Sequence, residues 1–128
     1  MKQSVGVIGG VGPMATVYYM QRVIEMTKAD CDQDHINMLV MNDCDIPDRT
    51  AFITEKSPDN PLPVMVEDAK RLEHAGCDFV VIPCNTAHYF YDELQHAVDI
   101  PVVNIVSETI RYAKEMTKDL KCVGILDT

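Results

Sequence analysis

Short apolar runs alternate with segments of helical periodicity along this chain, and that alternation constrains its fold more than any other feature. Residues 4–8, 36–41, 78–82 and 101–105 are compact and mostly apolar, the pattern of strands buried on both faces. After Pro13, a residue suited to a helix's first turn, Met14, Val17, Met20 and Ile24 keep a helical spacing to about Lys28. Leu62, Met65, Val66, Ala69, Leu72 and Ala75 mark one face of a second helix, with Gly76 placed as its stop. A third helix is predicted over residues 85–98, and Ser107, followed by Glu108, is placed to cap a fourth running to about Lys118. Residues 29–35, 42–50 and 57–61 are polar and carry the Pro and Asp of turns. Strands alternating with helices predict the α/β class, a parallel sheet flanked by helices in a flavodoxin-like, doubly wound arrangement.

Composition narrows the partners. The net charge of −9, from 20 acidic against 11 basic side chains, argues against a nucleic-acid surface, which needs a basic face. No apolar run approaches the ~18 residues of a membrane span. The first residues hold one Lys and are broken by Gly6, Gly9, Gly10 and Gly12, unlike a signal peptide. Five cysteines without a C-x-x-C pair suit neither a disulfide framework nor a zinc site. The expectation is a reduced, cytoplasmic protein with no metal and mostly core thiols. Residues 122–126 read as a fifth strand, and Val123-Gly124-Ile125-Leu126 repeats the character of Val5-Gly6-Val7-Ile8. Such an echo after a complete strand–helix unit suggests the start of a second, similar half.

Chemistry concentrates in Pro83-Cys84-Asn85-Thr86-Ala87-His88, where the third strand turns into a helix. Ligands of parallel sheets bind beyond the carboxyl ends of the strands. A cysteine there lies near the free N–H groups of the next helix, which favour thiolate and make Cys84 a usable base or nucleophile. The amides of Asn85, Thr86 and Ala87 are placed to hold a carboxylate. The alternative is a buried strand end, with Asn85 or Thr86 a plain helix cap. His88, four residues after Cys84, either modulates the thiol or, the preferred reading, is a partly exposed helix histidine. Zinc on Cys77, Cys84 and His88 lacks a fourth ligand.

Arg49 follows the second strand and can reach the same sheet edge, where its fork suits a carboxylate; the alternative is a surface pair with Asp45 or Asp48. Gly10, Gly12 and Ala15 match the dinucleotide pattern G-x-G-x-x-A, which keeps an NAD-type oxidoreductase as a lower alternative. Pro13 removes an N–H from that turn, and Asp43 comes later than the usual ~20-residue offset of the ribose-binding acid. The glycine loop reads better as one that lets backbone approach a small ligand.

Three motifs, Gly9-Gly10-Val11-Gly12-Pro13-Met14-Ala15-Thr16, Asp45-Ile46-Pro47-Asp48-Arg49-Thr50 and Pro83-Cys84-Asn85-Thr86-Ala87-His88, together resemble the aspartate/glutamate racemase family, its aspartate racemase branch in particular. The order and spacing match the family's N-terminal half; Val11 stands where relatives often have Met. The resemblance implies a two-domain racemase fold, with residues 1–118 as the N-terminal α/β domain and 119–128 as the first strand of a second domain otherwise lacking here. It implies cofactor-independent racemisation of a small acidic amino acid, aspartate first, by two cysteines on opposite faces of the substrate. Cys84 is then the first catalytic cysteine, with carboxylate contacts from Arg49, Thr50 and Ala51 on one side and Asn85, Thr86 and Ala87 on the other. A homodimer is also implied. The second cysteine has no counterpart in this sequence: Cys31, Cys44, Cys77 and Cys122 lack the strand-end context. A half that binds an acidic ligand or partner without turnover is the competing class.

Overall fold

The computed structural model describes residues 2–125 of the chain. Strand β1 (Ser4–Gly9) lies at the centre of a parallel sheet, with β2 (Asn37–Asn42) on one side and β3 (Phe79–Val81) on the other. The register runs from Ser4 opposite Asn37 to Gly9 opposite Asn42, and Val5 faces Phe79. Between strands lie α1 (Pro13–Met26), α2 (Arg49–Ile53) and α3 (Leu62–His74); α4 (Tyr91–Ala97) and α5 (Ile105–Met116) follow β3. This is the α/β class that the alternation predicts.

Alternate strand residues serve opposite faces. Ile8, Val80 and Ile82 join Met65, Ala69 and Leu72 of α3 and Leu94 of α4 in the larger core. Gly6 is on this face because any Cβ there would lie 3.0 Å from the Cβ of Leu72. Val5, Val7 and Val81 form the smaller core beneath Tyr19 of α1 and Ile105 of α5. Cover on this second face is thin, since Thr16 is the one buried residue of α1 and α5 buries none.

Several boundaries differ from those the sequence predicts. The expected strand over 101–105 is reduced to a single parallel bridge, Val102 to Val80, flanked by two main-chain bonds of 2.8 Å. Pro101 has no N–H to give, and Ile105 already belongs to α5. The cap of α5 is Asn104, whose Oδ1 accepts from the N–H groups of Val106 and Ser107, rather than Ser107 itself. Arg49 and Thr50, expected in a loop, open α2, because Asp48 caps it by accepting the Ala51 N–H at 2.7 Å. The helix predicted over 85–98 begins as a 3-10 turn, Thr86–Phe90, before α4. A second such turn, Asp32–Asp34, lies in the loop before β2. Residues 122–125 are irregular rather than the expected strand, with Val123 and Ile125 exposed and no strand pairing among the described residues; Leu126 lies outside the described residues.

Candidate active site

Beyond the carboxyl end of β3 the chain turns sharply, and the Cys84 N–H donates to the Ile82 carbonyl at 2.8 Å. Cys84 is half-buried, packed against the larger core at this end of the sheet. Among the described residues no acceptor takes the main-chain N–H of Asn85, Thr86 or Ala87, so three donors follow the thiol in sequence. Asn85 makes no capping bond, which removes the plain helix-cap reading for its side chain. The 3-10 geometry shortens the α-helix behind them, and with it the dipole that sequence reasoning attached to Cys84. Cys77 offers a contrast: it is buried, and burial pushes its thiol up, away from reactivity.

The His88 ring lies half-buried behind Cys84. Its Nδ1 is 2.8 Å from the Cys84 carbonyl, its Nε2 is 3.2 Å from the N–H of Ile105, and the Val103 carbonyl is 3.4 Å from Nε2. The ring stacks on Tyr91 with centroids 6.5 Å apart and planes 7° from parallel. It is partly exposed, as the sequence leads one to expect, and is in addition bonded to main chain at both ends.

Arg49 is brought to the same end of the sheet by α2, which leans on the 3-10 turn through Phe52 and Phe90, their ring centroids 5.9 Å apart. Its Nη1 donates to the carbonyls of Ile46 and Pro47 at 3.3 and 3.0 Å, and its Nε is buried without a partner. The surface pair with Asp45 or Asp48 does not form; Asp48 is engaged as the α2 cap. A guanidinium held by carbonyls, with a buried donor unfilled and no counter-charge, is arranged to take an anion. The Ala51 N–H is already given to Asp48, which leaves Ala51 without its amide for a ligand. Thr50 is exposed on the first turn of α2.

The glycine loop packs on its own protein. A Cβ at Gly9 would lie 2.5 Å from Thr16 Cγ2, and one at Gly10, where φ is +87°, would lie 2.1 Å from the Asp43 carbonyl oxygen. The Gly10 N–H is held by Thr16 Oγ1 at 3.0 Å, so it is spent within the loop rather than offered to a pyrophosphate. Close approach here is of chain to chain, which corrects the expectation of a ligand at these two glycines. Only Gly12 has open space around it among the loop glycines.

Sequence reasoning missed Asp68. It is fully buried on α3 beneath this end of the sheet, its Oδ1 lies 3.4 Å from Arg71 Nη1, and its Oδ2 has no donor. Burial, and then the neighbouring Asp43 carboxylate, raise its pKa to about 6. The signal was present in the sequence: Asp68 is a charged residue on the apolar stripe of Met65, Ala69 and Leu72. Among the described residues no cluster of three or more His, Cys, Asp or Glu is arranged to hold a metal ion, and no helix is long and apolar enough to cross a membrane.

Residues 8–128 match the family model described as Asp/Glu/hydantoin racemase. A broad specificity amino-acid racemase of Bacillus subtilis is 31% identical over 126 residues, covering 94% of this chain and 53% of that protein. The solved aspartate racemase of Picrophilus torridus superposes with a TM-score of 0.82 at 34% identity, covering 89% of this chain and 48% of its own. An aspartate racemase homologue of Pyrococcus horikoshii gives a TM-score of 0.73 at 25% identity over 91% of this chain and 50% of its own. The chain thus spans about half the length of these relatives.

Proposed function

We propose that this chain, which belongs to the Asp/Glu/hydantoin racemase family, serves the cofactor-independent racemisation of an acidic amino acid, aspartate first, with Cys84 as one of two proton-transferring thiols. The observation that carries this reading is the pairing, at one end of the sheet, of a half-buried thiol followed by three unengaged amides with a guanidinium that has no counter-charge. An α-proton is poorly acidic, so donors around the carboxylate must stabilise the carbanion as it forms. Arg49 and Thr50 on one side, and Asn85, Thr86 and Ala87 on the other, supply them. Cys84 as thiolate removes the α-proton, and a thiol on the opposite face returns one; the two thiols hold opposite protonation states. Cys44, two residues beyond β2, lies at the same end of the sheet as Cys84, whereas the second thiol must face the substrate from the opposite side, so we place it in a second, similar half of the protein or in a partner copy. The protein is read as cytoplasmic and dimeric. Support for an uncovered face comes from α5, which buries no residue, and from the half-length coverage of the relatives.

The test is to incubate each aspartate enantiomer with the 128-residue chain in deuterated water and follow α-deuterium and optical rotation. The monomer is expected to invert neither enantiomer, and any α-exchange is expected to vanish in Cys84→Ala. Inversion of both enantiomers that survives Cys84→Ala would overturn the reading. Binding of aspartate with no α-exchange would favour the non-catalytic half.

A further inference from the structure

We propose that His88 is a positioning residue for the Cys84 thiol, a neutral imidazole with its proton on Nδ1 that fastens the Cys84 carbonyl to the first turn of α5. The role rests on the reading of Cys84 as the reacting thiol. Its geometry stands independently of that reading. A carbonyl oxygen only accepts, so the 2.8 Å contact to Cys84 requires a proton on Nδ1. A main-chain N–H only donates, so the 3.2 Å contact from Ile105 requires a lone pair on Nε2. Both bonds at once define one tautomer of the uncharged ring; in it the Val103 oxygen, 3.4 Å from Nε2, is a neighbour rather than a partner.

Each bond fills a gap that the local backbone leaves open. Because the segment after Cys84 starts as a 3-10 turn, the His88 N–H goes to the Asn85 carbonyl at 3.0 Å, and among the described residues no main-chain amide donates to the Cys84 carbonyl. The ring supplies that donor. At the other end, Asn104 caps Val106 and Ser107 but leaves the Ile105 N–H, which the ring accepts. Stacking on Tyr91 fixes the ring plane. The carbonyl is one bond from the Cys84 Cα, so holding it restricts the rotation that aims the Cys84 side chain and the amides after it.

The two bonds can be separated by substitution. Asn at 88 keeps a donor near Nδ1, whereas Gln keeps an acceptor near Nε2. Either variant loses one bond, so a purely structural role predicts equal effects. With Cys84 alkylation mapped by mass spectrometry, we expect His88→Asn to need a similar aspartate concentration for protection as the parent chain. His88→Gln is expected to need about five- to tenfold more, the consequence of one lost hydrogen bond at the site. Equal protection in both variants would overturn the proposal. So would a nitrogen-15 spectrum of the parent chain showing His88 protonated at Nε2. If aspartate fails to protect Cys84 even in the parent, it is the substrate reading that fails. The brace is then decided by the Cys84 13Cβ resonance, which His88→Gln should move and His88→Asn should leave, and movement in neither would end it.

Discussion

At the scale of single residues, the account depends on what each polar group lacks. Arg49 has two carbonyl acceptors, one buried donor without a partner and no carboxylate, so its positive charge is available to a ligand. Arg49→Lys keeps the charge and removes the fork. It should weaken aspartate protection of Cys84 by about 1–3 kcal/mol, roughly five- to 150-fold. Unchanged protection would return Arg49 to a structural role, holding the Ile46 and Pro47 turn. The position of Cys84 was legible in the sequence because a strand end followed by Asn and Thr is a local pattern. Asp68 was legible only as a charge on an apolar stripe, and the pairing of Asp68 with Asp43 and of His88 with Ile105 was not legible, since both partners are distant in sequence.

At the scale of elements, β1, β3 and α3 follow the apolar pattern closely, because burial sets them and burial is written in residue type, whereas β2 and α1 keep close to their expected bounds although β2 buries no residue and α1 only Thr16. The differences gather where a single capping side chain or a missing N–H decides. Asp48 starts α2 inside an expected loop, and Asn104 starts α5 ahead of Ser107, cutting short the strand before it. Both caps were visible as residue types, but Asx residues serve turns and caps alike until the chain around them is placed. The Asp48 cap matters to the site because it orients the turn that carries Arg49. Asp48→Ala should cost about 0.5–2 kcal/mol in denaturant unfolding, and Asp48→Asn much less, since Asn still accepts from the Ala51 amide. Equal losses in the two variants would mean that the charge of Asp48, rather than its bond, stabilises α2.

At the scale of the whole molecule, one buried carboxyl links stability to pH. The Asp68 pKa of about 6 in the folded chain lies above its ordinary 3.8. The folded state therefore keeps a proton that the unfolded chain releases, so this group's contribution is full below about pH 4, falls as pH rises towards 6, and is flat beyond. The swing is at most about 3 kcal/mol. Denaturant midpoints measured from pH 4 to 7 should show that fall in the parent chain and not in Asp68→Asn; identical curves would mean that Asp68 is ionised throughout. The same end of the sheet holds the claim on which the account turns, that Cys84 is the thiol facing an acidic substrate. The direct measurement is competitive alkylation of the five thiols with iodoacetate, mapped by mass spectrometry, with and without aspartate. The account predicts that Cys84 reacts first although Cys31, Cys44 and Cys122 are more exposed, and that aspartate slows the reaction at Cys84 alone. Reaction rates that follow exposure, with no effect of aspartate at Cys84, would contradict it.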